Sequence, residues 1–187
     1  MEAIDLLLSR DSALKLEAPG PSGAELQDML QSAVRAPDHG RLRPWRFVVI
    51  NSDKRERFGE IMAESMRRKM PDAAPDMLQR ERDKALRAPV IVVVAAHLAK
   101  GHRIPAIEQL SAVAAATQNL MLAAPAKGYG AMWKTGDAAY DPVVRQQLGL
   151  DADDEIIGFL YIGTRTGGAS PPERIAKAQD YVSVFAG

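Results

Sequence analysis

The run Pro89-Val90-Ile91-Val92-Val93-Val94 constrains the fold of this chain more than any other segment. It is apolar without interruption and rich in β-branched residues, and it lacks the polar–apolar alternation of a strand with one wet face. A run of this kind is a strand buried on both sides, and it belongs at the centre of a sheet. The segment Trp45-Arg46-Phe47-Val48-Val49-Ile50 is a second strand by its aromatic and β-branched content, and residues 131–134 and 155–163 add two more.

Helical spacing fills the intervals. Ile4, Leu7 and Leu8 mark a helix over residues 2–10, and Leu26, Met29, Leu30 and Val34 mark one that Ser22 or Gly23 can cap and that stops before Pro37. Asn51, Ser52 and Asp53 precede a charged helix at 54–69, broken by Pro71 and Pro75, and a polar helix follows at 76–87. In the long helix at 105–124, Ile107, Leu110, Val113, Leu120 and Met121 mark one face, while Ala112, Ala114, Ala115 and Ala116 leave little polar surface elsewhere. That predicts a helix buried nearly all round, under the sheet or at a subunit interface. A short helix at 142–148 completes an order that predicts an α+β or mixed α/β sheet covered by helices.

At 187 residues the chain suits a single domain over 1–187. Residues 165–187, with Gly167, Gly168, Pro171 and Pro172, lack periodicity and either extend onto a partner subunit or fray. Lys plus Arg and Asp plus Glu both total 24, so no net field favours nucleic acid or an anionic membrane, and any bound anion must be held locally. Cysteine is absent, which excludes disulfides and thiol chemistry and suits a reducing compartment. Acids stand at Glu2 and Asp5 where a signal peptide carries bases, and no apolar run reaches the ~20 residues of a membrane span, so a soluble, cytoplasmic protein is expected.

Three places carry residues able to do chemistry. Arg10 and Ser12, around a helix end, offer a guanidinium fork and a hydroxyl suited to phosphate; the same residues also serve as a dipole-complementing cation and a turn. Arg35 and His39 lie four apart across Ala36-Pro37-Asp38, close to Arg41, Arg43, Trp45 and Arg46, a basic and aromatic stretch that suits a planar anion or is a solvated loop. The segment Gly128-Tyr129-Gly130-Ala131-Met132-Trp133-Lys134-Thr135 joins glycines to a tryptophan, a cation and a hydroxyl; a capping glycine and a core tryptophan would look the same. His39, His97 and His102 lack metal-ligand spacing, so no metal is expected. No G-x-G-x-x-G, P-loop or G-x-S-x-G is present, which argues against a Rossmann dehydrogenase, a nucleotide hydrolase and an α/β-hydrolase.

In order, these motifs resemble the nitroreductase family, in its short bacterial form. Arg10-Asp11-Ser12 is similar to the family's R-R-S, and residues 36–47 are similar to A-P-S-x-x-N-x-Q-P-W-R-F, with Ala36-Pro37-Asp38-His39 matching the A-P-D-H of the short members. Asn119, Leu120, Met121, Leu122, Ala123 and Ala124, with Gly128, Gly130 and Trp133, match N-L-M-L-A-A-x-x-x-G-x-G-x-x-W, and the late strand ends in Gly163-Thr164 like the family's G-T. The likeness covers about residues 2–164.

The resemblance implies a mixed, mostly antiparallel sheet covered by helices, in an intertwined homodimer that holds FMN at its interface. It implies that Arg10, Asp11 (through its backbone) and Ser12 bind the FMN phosphate, that Arg35 and His39 reach the flavin from the other chain, and that Trp133, Lys134 and Thr135 complete the site. Ala123, Ala124, Pro125, Ala126, Lys127 and Gly128 are similar to the segment that meets NADH or NADPH. The implied activity is reduction of FMN by that nucleotide and electron transfer to a nitroaromatic, quinone or related small acceptor. The flavin carries the chemistry and no side chain is catalytic. Two other readings stay open: FMN-dependent dehalogenation or flavin breakdown, and a non-catalytic flavin-binding dimer module. Asp11, where the family has a second Arg, and Arg41 and Arg43, where it has Asn and Gln, depart from the pattern.

Overall fold

The structure is a computed structural model that describes residues 2–51, 53–167 and 176–185. Six α-helices form among the described residues: α1 (Ala3–Ser9), α2 (Gly23–Ala33), α3 (Lys54–Lys69), α4 (Pro75–Lys84), α5 (Ala106–Ala126) and α6 (Pro142–Gln147). The strands are β1 (Leu16–Glu17), β2 (Trp45–Asn51), β3 (Val90–His97), β4 (Gly130–Lys134) and β5 (Asp154–Arg165). Ile162 of β5 pairs with Val90 of β3 and with Ala131 of β4, so those strands lie on opposite edges of β5, and β2 lies on the far edge of β3. Every pairing among the described strands is antiparallel. The expected helix-covered α+β sheet is the one that forms, with β3 and β5 inside it.

Burial on both faces explains the apolar run. Ile91, Val93 and Ala95 of β3 join Phe58, Ile61 and Met62 of α3 and Phe159 and Tyr161 of β5 in one core. Val90, Val92, Val94 and Ala96 join Leu26 and Met29 of α2 and Val113, Ala116 and Leu120 of α5 in the other. Side chains alternate across a strand, so one strand feeds two cores only when every position is apolar.

Five details differ from the sequence expectation. The two-residue β1 and a 3₁₀ turn at Asp137–Tyr140 were not anticipated, because both are too short to show a period. Ile107, assigned to the buried face of α5, is 68% exposed; the buried stripe runs through Gln109, Val113, Ala116, Thr117, Leu120, Met121 and Ala124, and Ile107 lies on the other side of the helix from Gln109. Helix α5 is therefore not buried all round within one chain: Ala114, Ala115, Gln118 and Leu122 on its outer side are only half-buried. α5 also continues through Pro125, which stands in its last turn. Ser52 of the expected α3 cap and residues 168–175 of the tail lie outside the described residues; 176–185 contain a 3₁₀ turn at Ala178–Tyr181, followed by exposed Val182, Val184 and Phe185.

One buried acid ties α3 to α6. Asp141 caps α6 by accepting from Val143 N–H at 2.8 Å, while Ser65 Oγ and Arg68 Nη2 donate to its other oxygen at 2.5 and 2.7 Å. Burial by itself raises this carboxyl, but the three donors and the Arg68 charge together hold it at about 2, against an ordinary value of 3.8. A depressed folded-state value stabilises the fold above the ordinary carboxyl range, and that contribution disappears as pH falls toward 2. Asp141→Asn is expected to lose about 2 kcal/mol in urea denaturation at pH 7, and its deficit against the unsubstituted protein should shrink between pH 4 and pH 2.

Candidate functional site

Helix α1 ends at Arg10, and the chain leaves it extended. The strap that follows lies against β4, where Ala13 N–H donates to Ala131 O at 2.9 Å. Gly130 makes that approach possible, since a Cβ there would stand 2.8 Å from both Ala13 Cβ and Leu16 Cδ2. At the end of α5, Tyr129 N–H donates to Ala124 O and Gly128 N–H to Pro125 O, the paired bonds of a Schellman turn. Tyr129 Oη–H donates to Glu25 Oε2 at 3.0 Å and so anchors that turn to the start of α2.

Between strap and turn is a cavity of about 360 Å³, lined by Ser9, Arg10, Asp11, Met121, Pro125, Gly128, Tyr129, Gly130, Ala131 and Arg165. Arg165, the last residue of β5, donates to the Asp11 carboxylate. Asp11, the departure from the basic family pattern, thus brings in a second guanidinium and leaves the cavity with two cations against one acid. The sequence reading missed Arg165 because the matched pattern stops at Thr164. Its signal was a lone base at the end of the last strand, two residues before Gly167.

The other expected residues lie elsewhere. Arg35 lines a cavity of about 330 Å³ between α2 and β2 with Val34, Ala36, Asp38, Arg41, Arg43 and Trp45. His39 is exposed, with Nδ1 2.5 Å from Glu108 Oε2 on the first turn of α5. In this loop Asp38 Oδ2 accepts from Arg43 N–H at 2.7 Å, and Arg41 and Arg43 adopt left-handed backbone with φ of 54° and 52°.

Trp133 and Lys134 sit on opposite faces of β4. Trp133 packs toward the α2–α5 core, its Nε1–H donating to Ile157 O at 3.3 Å across Gly158, where a Cβ would lie 2.2 Å from that nitrogen. Lys134 and Thr135 line a cavity of about 210 Å³ with Arg87 and Tyr161 on the α3–α4 side, where burial pushes the Tyr161 hydroxyl up to about 12. The three cavities share no residue.

Of the segment expected to meet the nicotinamide nucleotide, Pro125 and Gly128 line the Arg10 cavity. Ala124 is fully buried, Ala123 is half-buried, Ala126 is exposed, and Lys127 is ion-paired with Asp28 at 2.7 Å. Ser12 is exposed on the strap. One group among the described residues, His97, Asp151 and Asp154, has metal-type side chains within reach of one another. Asp154 is already engaged there by His97 Nδ1 at 2.7 Å and by Asp151 N–H at 2.8 Å, which accounts for the group as a strand-end lock.

The nitroreductase family model matches residues 7–164. The Escherichia coli (strain K12) protein named "Putative NAD(P)H nitroreductase YdjA" is 36% identical over 186 residues, 99% of this chain and 100% of that one. Among solved structures, the nitroreductase-like family protein from Bacillus cereus superposes with a TM-score of 0.83 at 22% identity, covering 100% of this chain and 97% of the other. The FMN and NADPH-dependent nitroreductase NfnB from Sphigopyxis sp. strain HMH does so at 0.79 and 18% identity, with 100% of both chains covered. At these identities the structural matches establish the fold.

Left-handed backbone costs a side-chain-bearing residue about 1 kcal/mol or more, and glycine avoids that cost. Arg41→Gly is therefore expected to raise the free energy of unfolding by about 1 kcal/mol, less what glycine gives up in unfolded-chain entropy. Urea denaturation checks it, and a loss of stability would show that the loop does not strain Arg41.

Proposed function

The chain belongs to the nitroreductase family, and from that premise we propose that it is an FMN-dependent oxidoreductase that takes electrons from NADH or NADPH and passes them to a nitroaromatic, quinone or related small acceptor. The observation that carries the proposal is the cavity in which Arg10 and Arg165 face the Gly128–Gly130 turn. Two guanidiniums, one partly neutralised by Asp11, are a donor set for a phosphate, and a glycine-containing turn lets backbone approach a flat group. The residues present fit FMN in charge and in kind.

FMN, when bound, supplies the redox chemistry, and no side-chain acid or base is required of the chain. The protein's task is to bind and orient. In this reading Arg10 and Ser12 hold the phosphate with the Asp11 backbone, and Arg165 assists. Trp133 braces β4 from the α5 side, and residues 133–135 would contribute backbone to the flavin site. Lys134 points to the opposite side of the sheet, so its part is through backbone or long-range charge. Pro125, Lys127 and Gly128 form the accessible part of the nicotinamide-nucleotide segment, with Ala123, Ala124 and Ala126 shaping the helix end beneath.

Arg35 and His39 enter from a second copy of the chain. Several features support that homodimer. Helix α1 buries no residue and leaves Ile4, Leu7 and Leu8 64%, 51% and 76% exposed, the outer side of α5 is half-covered, and Tyr181, Val182, Val184 and Phe185 are exposed. No helix among the described residues is long and apolar enough to cross a membrane. A cysteine-free chain fed by a nicotinamide nucleotide suits the cytoplasm, and the family match over residues 7–164 supports one FMN-binding domain. The Asp11–Arg165 pair keeps the net positive charge of the cavity, so Asp11 no longer counts in favour of a non-catalytic flavin-binding module over an enzyme.

The purified protein is expected to run as a dimer in light scattering, to show the visible absorption of bound FMN, and to lose that absorption anaerobically with NADH or NADPH. A quinone or nitroaromatic should restore it. Arg10→Ala should weaken FMN binding by roughly ten- to hundredfold, the scale of a charge-assisted phosphate contact. A colourless protein that takes up no added FMN overturns the proposal.

A further inference from the structure

The cavity between α2 and β2 holds three arginines, Arg35, Arg41 and Arg43, beside Trp45 and a single acid, Asp38. Among the described residues none of these three guanidiniums has a hydrogen-bond or ion-pair partner, whereas Arg67, Arg68, Arg80, Arg82 and Arg165 each meet a carboxylate. Asp38 does not neutralise the group through a guanidinium. Its carboxylate accepts the Arg43 backbone N–H at 2.7 Å, and its carbonyl accepts Arg41 N–H at 3.2 Å.

The backbone carries a second, independent signal. Arg41 and Arg43 are the two non-glycine residues with positive φ among the described residues, and they lie two positions apart. Arg43 also precedes Pro44, a position that sterically favours extended backbone. Strain of this kind persists where surrounding bonds over-determine it, and those bonds are present: Asp38 holds Arg43 N–H, and Arg46 Nη1 donates to Arg43 O at 3.3 Å and Trp45 O at 3.0 Å. The bonds fix the main chain and leave the guanidiniums to solvent. A loop built only for stability has no use for three like charges gathered without a counter-ion on a strained frame. An oxyanion in the cavity supplies the missing charge, and the half-buried Trp45 offers a plane beside it.

We infer that Arg41 and Arg43, beside the Arg35 that the proposed function directs to the flavin, form an oxyanion pocket that selects an anionic reactant of this oxidoreductase. The inference rests on the proposed function and deepens it. The group bound is a carboxylate or phosphate on a molecule with a flat body. It is carried either by an aromatic acceptor or by the nucleotide donor, whose forms NADPH and NADH differ by one phosphate. Where the family pattern has Asn and Gln at positions 41 and 43, this chain has two charges, so the selectivity belongs to the chain rather than to the family's shared frame.

The test compares the FMN-loaded full chain with Arg41→Asn/Arg43→Gln, which restores the pattern residues; Asn tolerates left-handed backbone, so the variant keeps the loop. Two substrate pairs are used, 4-nitrobenzoate against 4-nitrobenzamide and NADPH against NADH. The unsubstituted protein should favour the member carrying the additional oxyanion in one pair at least tenfold in kcat/KM, and the variant should bring that ratio near one while keeping its flavin spectrum. The pair that responds identifies which reactant carries the oxyanion. A second measurement does not depend on turnover: benzoate but not benzamide, or adenosine 2′,5′-bisphosphate but not adenosine 5′-monophosphate, should raise the thermal midpoint of the unsubstituted protein and not of the variant. Equal handling of both pairs, a preference that survives the substitutions, or loss of FMN by the variant overturns the pocket. If the protein binds no FMN the proposed function fails first, and the thermal measurement on the flavin-free chain still decides the pocket.

Discussion

Burial of β3 on both faces is the constraint on which the rest of this structure depends. From Ile91 to Ala96 every residue is 0% exposed. A strand in that condition needs a neighbour at each edge and a helical layer over each face, because its backbone groups and its side chains alike have no water to meet. β2 and β5 satisfy the edges, and α3 and α5 cover the faces. Pairing β5 with β3 along nearly its whole length also fixes where β5 ends. Its last residue, Arg165, falls opposite Leu16 of β1, next to the strap that leaves α1. The cation that completes the Arg10 cavity is thus delivered by the register of the central strands.

Electrostatics in this chain is local by necessity, since its charges sum to zero. Two acids placed among arginines show opposite solutions. Asp11 takes a guanidinium as partner and thereby positions it. Asp38 takes backbone N–H groups and leaves its arginines without a partner among the described residues. The first arrangement lowers the charge of a cavity while keeping its geometry, and the second preserves charge at the cost of backbone strain. A sequence records only that an acid stands near bases; which group it bonds depends on the turn around it.

The long elements were legible because each repeats a physical period several times: α3, α5 and β3 stand within a few residues of where spacing puts them. Features without a period were not, and β1 became visible only through its pairing with Thr164 and Arg165. The motif residues were legible by their order, but their positions in space were not. A strand at 131–134 already implies that Trp133 and Lys134 face opposite ways, so one part of the spread could have been read from alternation alone. The Asp11–Arg165 pair could not, because its members are 154 residues apart and meet only through the register of β5.

Helix α1 joins the site to the proposed second copy. Seven residues are too few to hold a helix in water by hydrogen bonds alone, so its stability has to come from packing. Within one chain it buries no residue, and the apolar Ile4, Leu7 and Leu8 lie open. Arg10 is the C-cap of this helix, so the order of the helix bears directly on where its guanidinium lies. In the proposed dimer, a second copy covering Leu7 and Leu8 and a phosphate held by Arg10 would order the same short segment. Whichever arrives first bears the entropy of ordering it, and the other binds more tightly for that reason. In the proposed dimer, subunit and ligand would then be coupled through the seven residues of α1.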